Sequence, residues 1–197
     1  MLFETKNFEN LIGTEGFSDQ LLKNHFTLYQ GYVTNTNKIT DTIRMFLKEN
    51  RLGTPEFAEL KRRFGWEFNG MRLHELYFEN MTKSGEELDR NSALFKKIVE
   101  IFETYENWEK VFKAVGAMRG IGWVILYYDT VSSRMFNTWI NEHDVGHLVG
   151  CKPILIMDVF EHAYMIDYGL KRADYIEAFF KAIDWSVAIN RFNNAMK

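Results

Sequence analysis

Apolar residues recur every three or four positions through much of the first 80 residues, a spacing typical of amphipathic helices. One such series begins after Ser18, and a second follows Asn37. A third begins at Thr54–Pro55, where threonine can cap a helix and proline suits its first turn. His25 and His74 lie on the apolar faces of the first and third series, so we expect both to be buried.

The pattern changes in the second half of the chain. Polar residues together with Gly85 make the segment 80–90 the best candidate for a linker. Beyond it, helical spacing alternates with three short apolar runs rich in β-branched and aromatic residues, which predict strands. The predicted helices cover residues 92–105, 108–118 and 164–185, and the predicted strands cover residues 122–128, 135–140 and 153–157.

Together these elements predict an α+β fold with two domains. An N-terminal helical hairpin domain covers residues 1–84. A C-terminal domain covers residues 85–197 and contains a three-stranded antiparallel sheet flanked by helices.

Composition narrows the class of protein. The net charge of −3 argues against non-specific binding to nucleic acid, and the single cysteine, Cys151, excludes an intramolecular disulfide and a cysteine-rich zinc site. The N-terminus has no pattern of a signal peptide, and no apolar run approaches the ~18 residues of a membrane span. We therefore expect a cytoplasmic protein that contacts neither nucleic acid nor membrane.

Asp158 directly follows the third predicted strand, where an unpaired carboxylate would carry a large desolvation cost. A cation held by Asp158 with His25, His74 and His162 would compensate that charge, and such a nitrogen and oxygen set suits manganese, iron or zinc. The simpler alternatives are hydrogen-bonded core histidines and an aspartate that caps a helix. Spacing alone does not decide between them, because the four residues must also converge.

The stretch Asp158–Tyr164, DVFEHAY, resembles the D-x-W-E-H-A-Y motif of the iron/manganese superoxide dismutases. Three further stretches resemble this family in the same order: HFTLYQGYVTNTN at residues 25–37, FNGMRLHELYFENM at 68–81 and RGIGWVILYYD at 119–129. The resemblance implies an antioxidant oxidoreductase that converts superoxide to dioxygen and hydrogen peroxide. It implies one iron or manganese ion per subunit, alternating between M(III) and M(II), with His25, His74, Asp158 and His162 as ligands.

The resemblance also implies roles for residues around the metal. Tyr32 corresponds to the family's gateway tyrosine at the site entrance, although it lies one residue closer to the first ligand than the family pattern requires. Tyr29, one turn after His25, is therefore a rival for that role. Trp123 is expected to wall the pocket. Glu161 is expected to reach a metal-binding histidine of a second subunit, which implies a homodimer through the Glu161 and His162 region.

Family members usually place a glutamine beside the solvent bound at the metal. Here Gly70 occupies one of the two positions that supply it, and His143 occupies the second. Because Gly70 has no side chain, we expect it to leave room for another group. We therefore predict that His143 tunes the bound solvent. His147 receives no role from the resemblance.

Other departures lie on the substrate approach. Leu28 or Tyr29 replaces a family histidine, Met165 replaces its tyrosine partner, and Phe160 replaces the tryptophan of the motif. These changes leave open a non-catalytic dimer with a structural metal. A hydrolase with zinc on His143 and His147 is a weaker alternative, because Gly146 disfavours the helix that this spacing needs.

Overall fold

A computed structural model describes residues 2–197, which form the predicted α+β fold. Two long helices come first, α1 at Asp19–Lys48 and α2 at Pro55–Glu79, followed by the shorter helices α3 at Ala93–Phe102 and α4 at Tyr105–Gly116. Three strands follow, β1 at Gly122–Asp129, β2 at Arg134–Asn141 and β3 at Lys152–Asp158. The chain ends with α5 at Met165–Tyr168, α6 at Arg172–Lys181 and α7 at Trp185–Ala195.

The sheet is antiparallel throughout, with β1 between β2 and β3. Nearly every residue of β1 is buried, which agrees with its continuous apolar sequence. In the register, Trp123 lies opposite Ile140 on one side and Asp158 on the other. The central strand therefore fixes the position of Asp158 at the end of its neighbour.

Most of the longer helices are capped at their N-terminus by a side chain. Ser18, Thr54, Ser92 and Thr104 each accept a hydrogen bond from the backbone N–H three residues later, which satisfies one otherwise unpaired donor of the first turn. The start signals at Ser18 and Thr54 were visible in the sequence, and the structure confirms both.

Helix boundaries differ from the predictions, and the helix predicted for residues 108–118 covers Tyr105–Gly116. The two apolar series that flank Asn37 belong to the single helix α1, which contains no proline and accommodates Gly31 without a break. The helix predicted to end at residue 105 ends at Phe102, since Glu103 adopts a left-handed conformation with φ of 70°. The helix predicted for residues 164–185 is divided at Gly169, where φ is also positive.

One hydrophobic core runs through the described residues and includes side chains from both the helical N-terminal segment and the sheet. Helix α2 packs against α1 on one side and against β3 on another. The division into domains at residue 84 stays a prediction. No helix within residues 2–197 has the length and apolar character needed to cross a membrane.

Candidate metal centre

Four side chains from four separate elements meet between the long helices and the sheet. His25 comes from α1, His74 from α2, Asp158 from the end of β3, and His162 from a 3-10 turn at Glu161–Ala163. Each offers one ligand atom, and these atoms all lie within 4.8 Å of one another. His25, His74 and Asp158 are buried, and the side chain of His162 is 26% exposed. The sequence could name these residues, but only the fold brings them together.

The Asp158 carboxylate is the centre of the cluster. Its Oδ2 atom lies 3.2 Å from His25 Nε2, 3.1 Å from His162 Nε2 and 3.6 Å from His74 Nε2. The other oxygen, Oδ1, accepts the backbone N–H of Phe160 at 2.9 Å, and no lysine or arginine within residues 2–197 pairs with either oxygen. Burial alone would raise the pKa of Asp158, but the imidazoles of His162 and His25 hold it well below its ordinary range.

His74 shows that this arrangement needs a positive ion. Its Nδ1–H donates to the carbonyl oxygen of Gly70 at 2.6 Å, so in the neutral ring Nε2 carries only a lone pair. That lone pair faces the Asp158 carboxylate and has no hydrogen-bond partner. Burial lowers the pKa of His74 well below its ordinary value, which opposes protonation as a remedy.

A metal ion between these atoms would remove the conflict. It would accept the free lone pair of His74 and compensate the buried charge of Asp158, while keeping the imidazoles neutral. The residues present therefore fit a mononuclear site with three nitrogen donors and one oxygen donor.

Beside this cluster, His143 links two further residues that the sequence singled out. Trp123 Nε1–H donates to His143 Nδ1 at 3.0 Å, so the neutral ring carries its proton on Nε2. That Nε2–H lies 2.8 Å from the hydroxyl oxygen of Tyr32. His143 is fully buried, and burial lowers its pKa to about 4. Both ring nitrogens of His143 are thus engaged without any ion.

Tyr32, rather than Tyr29, adjoins His143. The Tyr32 ring stacks on His74 with centroids 5.1 Å apart, whereas the Tyr29 hydroxyl donates to Glu75 Oε1 at 3.0 Å. Because α1 is a regular helix, the seven positions from His25 to Tyr32 make about two turns and place both on one face. The short spacing in the sequence is therefore accommodated without a bulge in the helix.

Gly70 provides the space that Tyr32 occupies. A Cβ atom at this position would lie 2.6 Å from Cδ1 of the Tyr32 ring, too close for any side chain without a shift. The sequence indicated a gap at Gly70, and the structure shows the tyrosine ring that fills it.

Comparison with known proteins identifies the family. Residues 90–191 match the model described as iron/manganese superoxide dismutases, C-terminal domain. A superoxide dismutase [Mn] of Haloferax volcanii is 35% identical over 181 residues, which cover 91% of this chain and 89% of the relative. This chain belongs to the iron/manganese superoxide dismutases.

Relatives named for either metal are similar to the chain. The superoxide dismutase [Fe] of Aquifex pyrophilus is 37% identical over 188 residues, covering 93% of this chain and 87% of the relative. The superoxide dismutase [Fe] of Cupriavidus metallidurans is also 37% identical, covering 92% of this chain and 91% of the relative. The family is one of oxidoreductases, and its relatives support an iron or manganese ion at the four-residue cluster.

The other residues singled out from the sequence lie around the four-residue cluster or near it on the surface. Trp123 packs edge-on against His74 with centroids 4.9 Å apart, and Phe160 stacks on His143 at 4.7 Å and on His162 at 5.0 Å. Glu161 is exposed at the surface next to His162 in the single chain. Met165 is exposed as well, at 44%.

Sequence reasoning missed Trp66. Its ring packs edge-on against His143 at 4.5 Å and lies 5.5 Å from the Tyr32 ring, while its Nε1–H donates to Glu142 Oε2 at 3.0 Å. A signal did exist, because Trp66, Gly70 and His74 are spaced four residues apart and so share one helix face.

The hydrolase alternative on His143 and His147 disagrees with the geometry. Residues 142–147 form turns and a short bridge rather than a helix. Trp123 and Tyr32 also occupy both ring nitrogens of His143, so this pair offers no shared metal position.

Proposed function

We propose that this chain is a superoxide dismutase, which converts superoxide to dioxygen and hydrogen peroxide with one iron or manganese ion per subunit. His25, His74, Asp158 and His162 hold the ion. The observation that carries the proposal is the bare Nε2 lone pair of His74, which faces the buried Asp158 carboxylate and requires a cation between them. Family membership supplies the reaction that this ion serves.

When bound, the metal supplies one-electron redox chemistry between the 3+ and 2+ states. Three neutral imidazoles and one carboxylate give the ligand set a charge of −1, counted from the residues of the cluster. Coupling each electron to one proton keeps the net charge of the buried site constant and avoids repeated desolvation of an extra charge. The burial of His25, His74 and Asp158 makes this coupling advantageous.

Tyr32 is the gateway tyrosine and orients a proton toward the substrate. Because His143 Nε2–H donates to the Tyr32 oxygen, the Tyr32 hydroxyl proton is directed away from His143. Burial raises the pKa of Tyr32 above its ordinary value, so this hydroxyl keeps its proton at neutral pH. Peroxide formation consumes two protons, and a correctly oriented donor at the site assists it.

His143 tunes the site in place of the glutamine of other family members. Trp123 fixes its tautomer, and Tyr32, which accepts the Nε2–H of His143, stacks on the proposed ligand His74. Trp123 and Phe160 also limit water around the ligands through their aromatic walls. Through its link to Tyr32, His143 would influence the solvent bound at the metal.

The active form is a homodimer in the Glu161 and His162 region. Glu161 is exposed in the single chain, and the apolar side chains of Met165, Ile166 and Leu170 in the same segment are also exposed. A second subunit would cover these side chains, and Glu161 would orient a histidine ligand of the other subunit. An antioxidant role in the cytoplasm would suit this activity.

Loading the purified protein separately with iron and with manganese tests the function. At one ion per subunit, at least one form should remove superoxide catalytically, and the metal-free protein should not. The measurements are metal analysis and the decay of a known superoxide pulse. Stoichiometric metal without turnover in either form would support the alternative of a purely structural metal.

A further inference from the structure

His147 is the one histidine that neither the resemblance nor the metal cluster explains. It lies in the loop between β2 and β3, four residues after His143, and is half-buried. Its Nδ1 atom is 2.7 Å from the hydroxyl oxygen of Tyr127, and its Nε2 atom is 2.8 Å from the backbone carbonyl oxygen of His143. The ring therefore bridges the central strand and the residue that contacts Tyr32.

The hydrogen-bond directions follow from the chemistry of the partners. A carbonyl oxygen only accepts, so His147 Nε2 carries the proton and donates it to His143. In the neutral ring, Nδ1 then accepts a hydrogen bond from the hydroxyl group of Tyr127. Tyr127 lies within β1. Asn69 of α2 is a more distant neighbour, with Nδ2 3.5 Å from His147 Nε2.

The loop that holds His143 has an unusual backbone. Glu142 has a φ of +50°, in the left-handed region that residues with a side chain rarely adopt. Gly146 has a φ of +110°, and a Cβ there would lie 2.7 Å from the carbonyl oxygen of Trp139. At Glu142 such a conformation persists only where surrounding contacts impose it, whereas glycine adopts it without strain. The contact from His147 is made to the carbonyl oxygen of the next residue, His143.

We propose that His147 is a positioning residue, which holds the backbone of His143 so that its ring meets both Trp123 and Tyr32. This inference rests on the proposed function, because the importance of His143 at the metal comes from it. The orienting contact acts on the main chain of His143, whereas Trp123 and Tyr32 act on its ring. Without the His147 contact, the His143 ring would no longer be held at hydrogen-bond distance from Trp123 and Tyr32.

The indole N–H of Trp123 reports on this arrangement directly. In protein loaded with redox-inert zinc, its proton resonance can be followed by NMR because the indole donates to His143 Nδ1. We expect His147→Ala to move this resonance upfield and to make its exchange with solvent faster. In the iron- or manganese-loaded protein, the same change should shift the reduction potential of the metal while metal content stays stoichiometric.

Two further variants separate positioning from folding. His147→Gln places an amide N–H near the position of Nε2 and should restore the Trp123 resonance and the potential toward wild-type values. Tyr127→Phe removes the donor to Nδ1 but keeps Nε2–H, so it should produce a smaller shift in the same direction. If His147→Ala fails to fold, His147→Gln and Tyr127→Phe are compared with the wild type instead. Val149→Ala, at a fully exposed position of the same loop, is the matched control and should change nothing.

The outcomes distinguish this inference from the proposed function. A wild-type Trp123 resonance and potential in His147→Ala, or equal effects of alanine and glutamine, would overturn the positioning role. If His147→Ala does not fold, wild-type values in Tyr127→Phe overturn it. Absence of superoxide turnover in loaded wild-type protein would instead overturn the proposed function, and the NMR response of Trp123 would still stand. His143→Gln serves as the reference for the largest effect expected on the potential.

Discussion

The candidate site has two parts, the four-residue cluster and the group around His143. They differ in whether their buried polar atoms all have hydrogen-bond partners without an ion. In the cluster of His25, His74, Asp158 and His162, the Nε2 atom of His74 lacks a hydrogen-bond partner and the Asp158 carboxylate pairs with no lysine or arginine within residues 2–197. In the neighbouring group of His143, Tyr32 and Trp123, every ring nitrogen has a partner at 2.8–3.0 Å. The unpaired Nε2 atom of His74 therefore indicates the position of a metal, whereas the paired nitrogens of His143 and Trp123 indicate a supporting group.

This contrast has a consequence for substitution. Loss of a residue from the four-residue cluster would remove a proposed ligand of the ion, so metal retention should fail. Loss of a residue from the His143 group leaves the ligands in place, so metal retention should survive while the properties of the site change.

His74→Ala is expected to abolish stoichiometric metal retention. It removes the nitrogen whose lone pair has no other partner, so the cost should exceed the ~10–100-fold loss of affinity typical for removal of an outer partner. Metal analysis after dialysis measures it, with His143→Gln as the control that keeps its metal. Retention of one ion per subunit by His74→Ala would show that the assigned ligands are wrong.

The free energy of unfolding should fall as pH falls below neutrality, because His143 is buried in its neutral form. Its folded pKa of about 4 lies below the ordinary value of 6.5, so the unfolded state binds more protons between these values. Its contribution to stability is complete above pH 6.5 and is lost as pH falls toward 4, amounting to about 2 kcal/mol between pH 7 and pH 5.

Denaturant unfolding of wild-type protein and His143→Gln at pH 7 and pH 5 measures this contribution. The wild type should lose about 2 kcal/mol more than the variant over that interval, since glutamine does not titrate. Protonation of the metal ligands affects both proteins and cancels in the comparison. Parallel losses in the two proteins would contradict the buried, neutral state of His143.

Gly70→Ala should disturb the Tyr32 contact at a small net cost in stability. Overpacking against the Tyr32 ring costs about 1–3 kcal/mol. The better helix propensity of alanine recovers about 1 kcal/mol of it. Gly65→Ala in the same helix meets nothing within 4 Å and is the control, which should be stabilised by up to about 1 kcal/mol.

Thermal unfolding and metal analysis of both alanine variants check this prediction. Both should keep the metal, and superoxide turnover should fall only in Gly70→Ala, where the Tyr32 ring is displaced. Equal stabilisation and equal turnover in the two variants would mean that Tyr32 does not depend on the space at Gly70.

Much of the candidate cluster could be predicted from local sequence. His25 and His74 lie on apolar helix faces, and Asp158 ends a buried strand. The local pattern around each residue therefore predicted that it would be buried. Each end of the three strands was also predicted within one residue, because their apolar runs are short and bounded by turns. The break in the tail at Gly169 was missed, since helical spacing continues across it.

The sequence by itself determined which side chains would be buried and that Asp158 would need a countercharge, because burial and desolvation depend on residue type and periodicity. Only the tertiary structure decided that the four side chains of the cluster converge, that Tyr32 rather than Tyr29 contacts His143, and that His147 contacts the backbone of His143. These facts depend on contacts between elements far apart in the chain. Hydrogen-bond partners, and with them the tautomers of the histidines, are set by distance in space, which local sequence patterns do not encode.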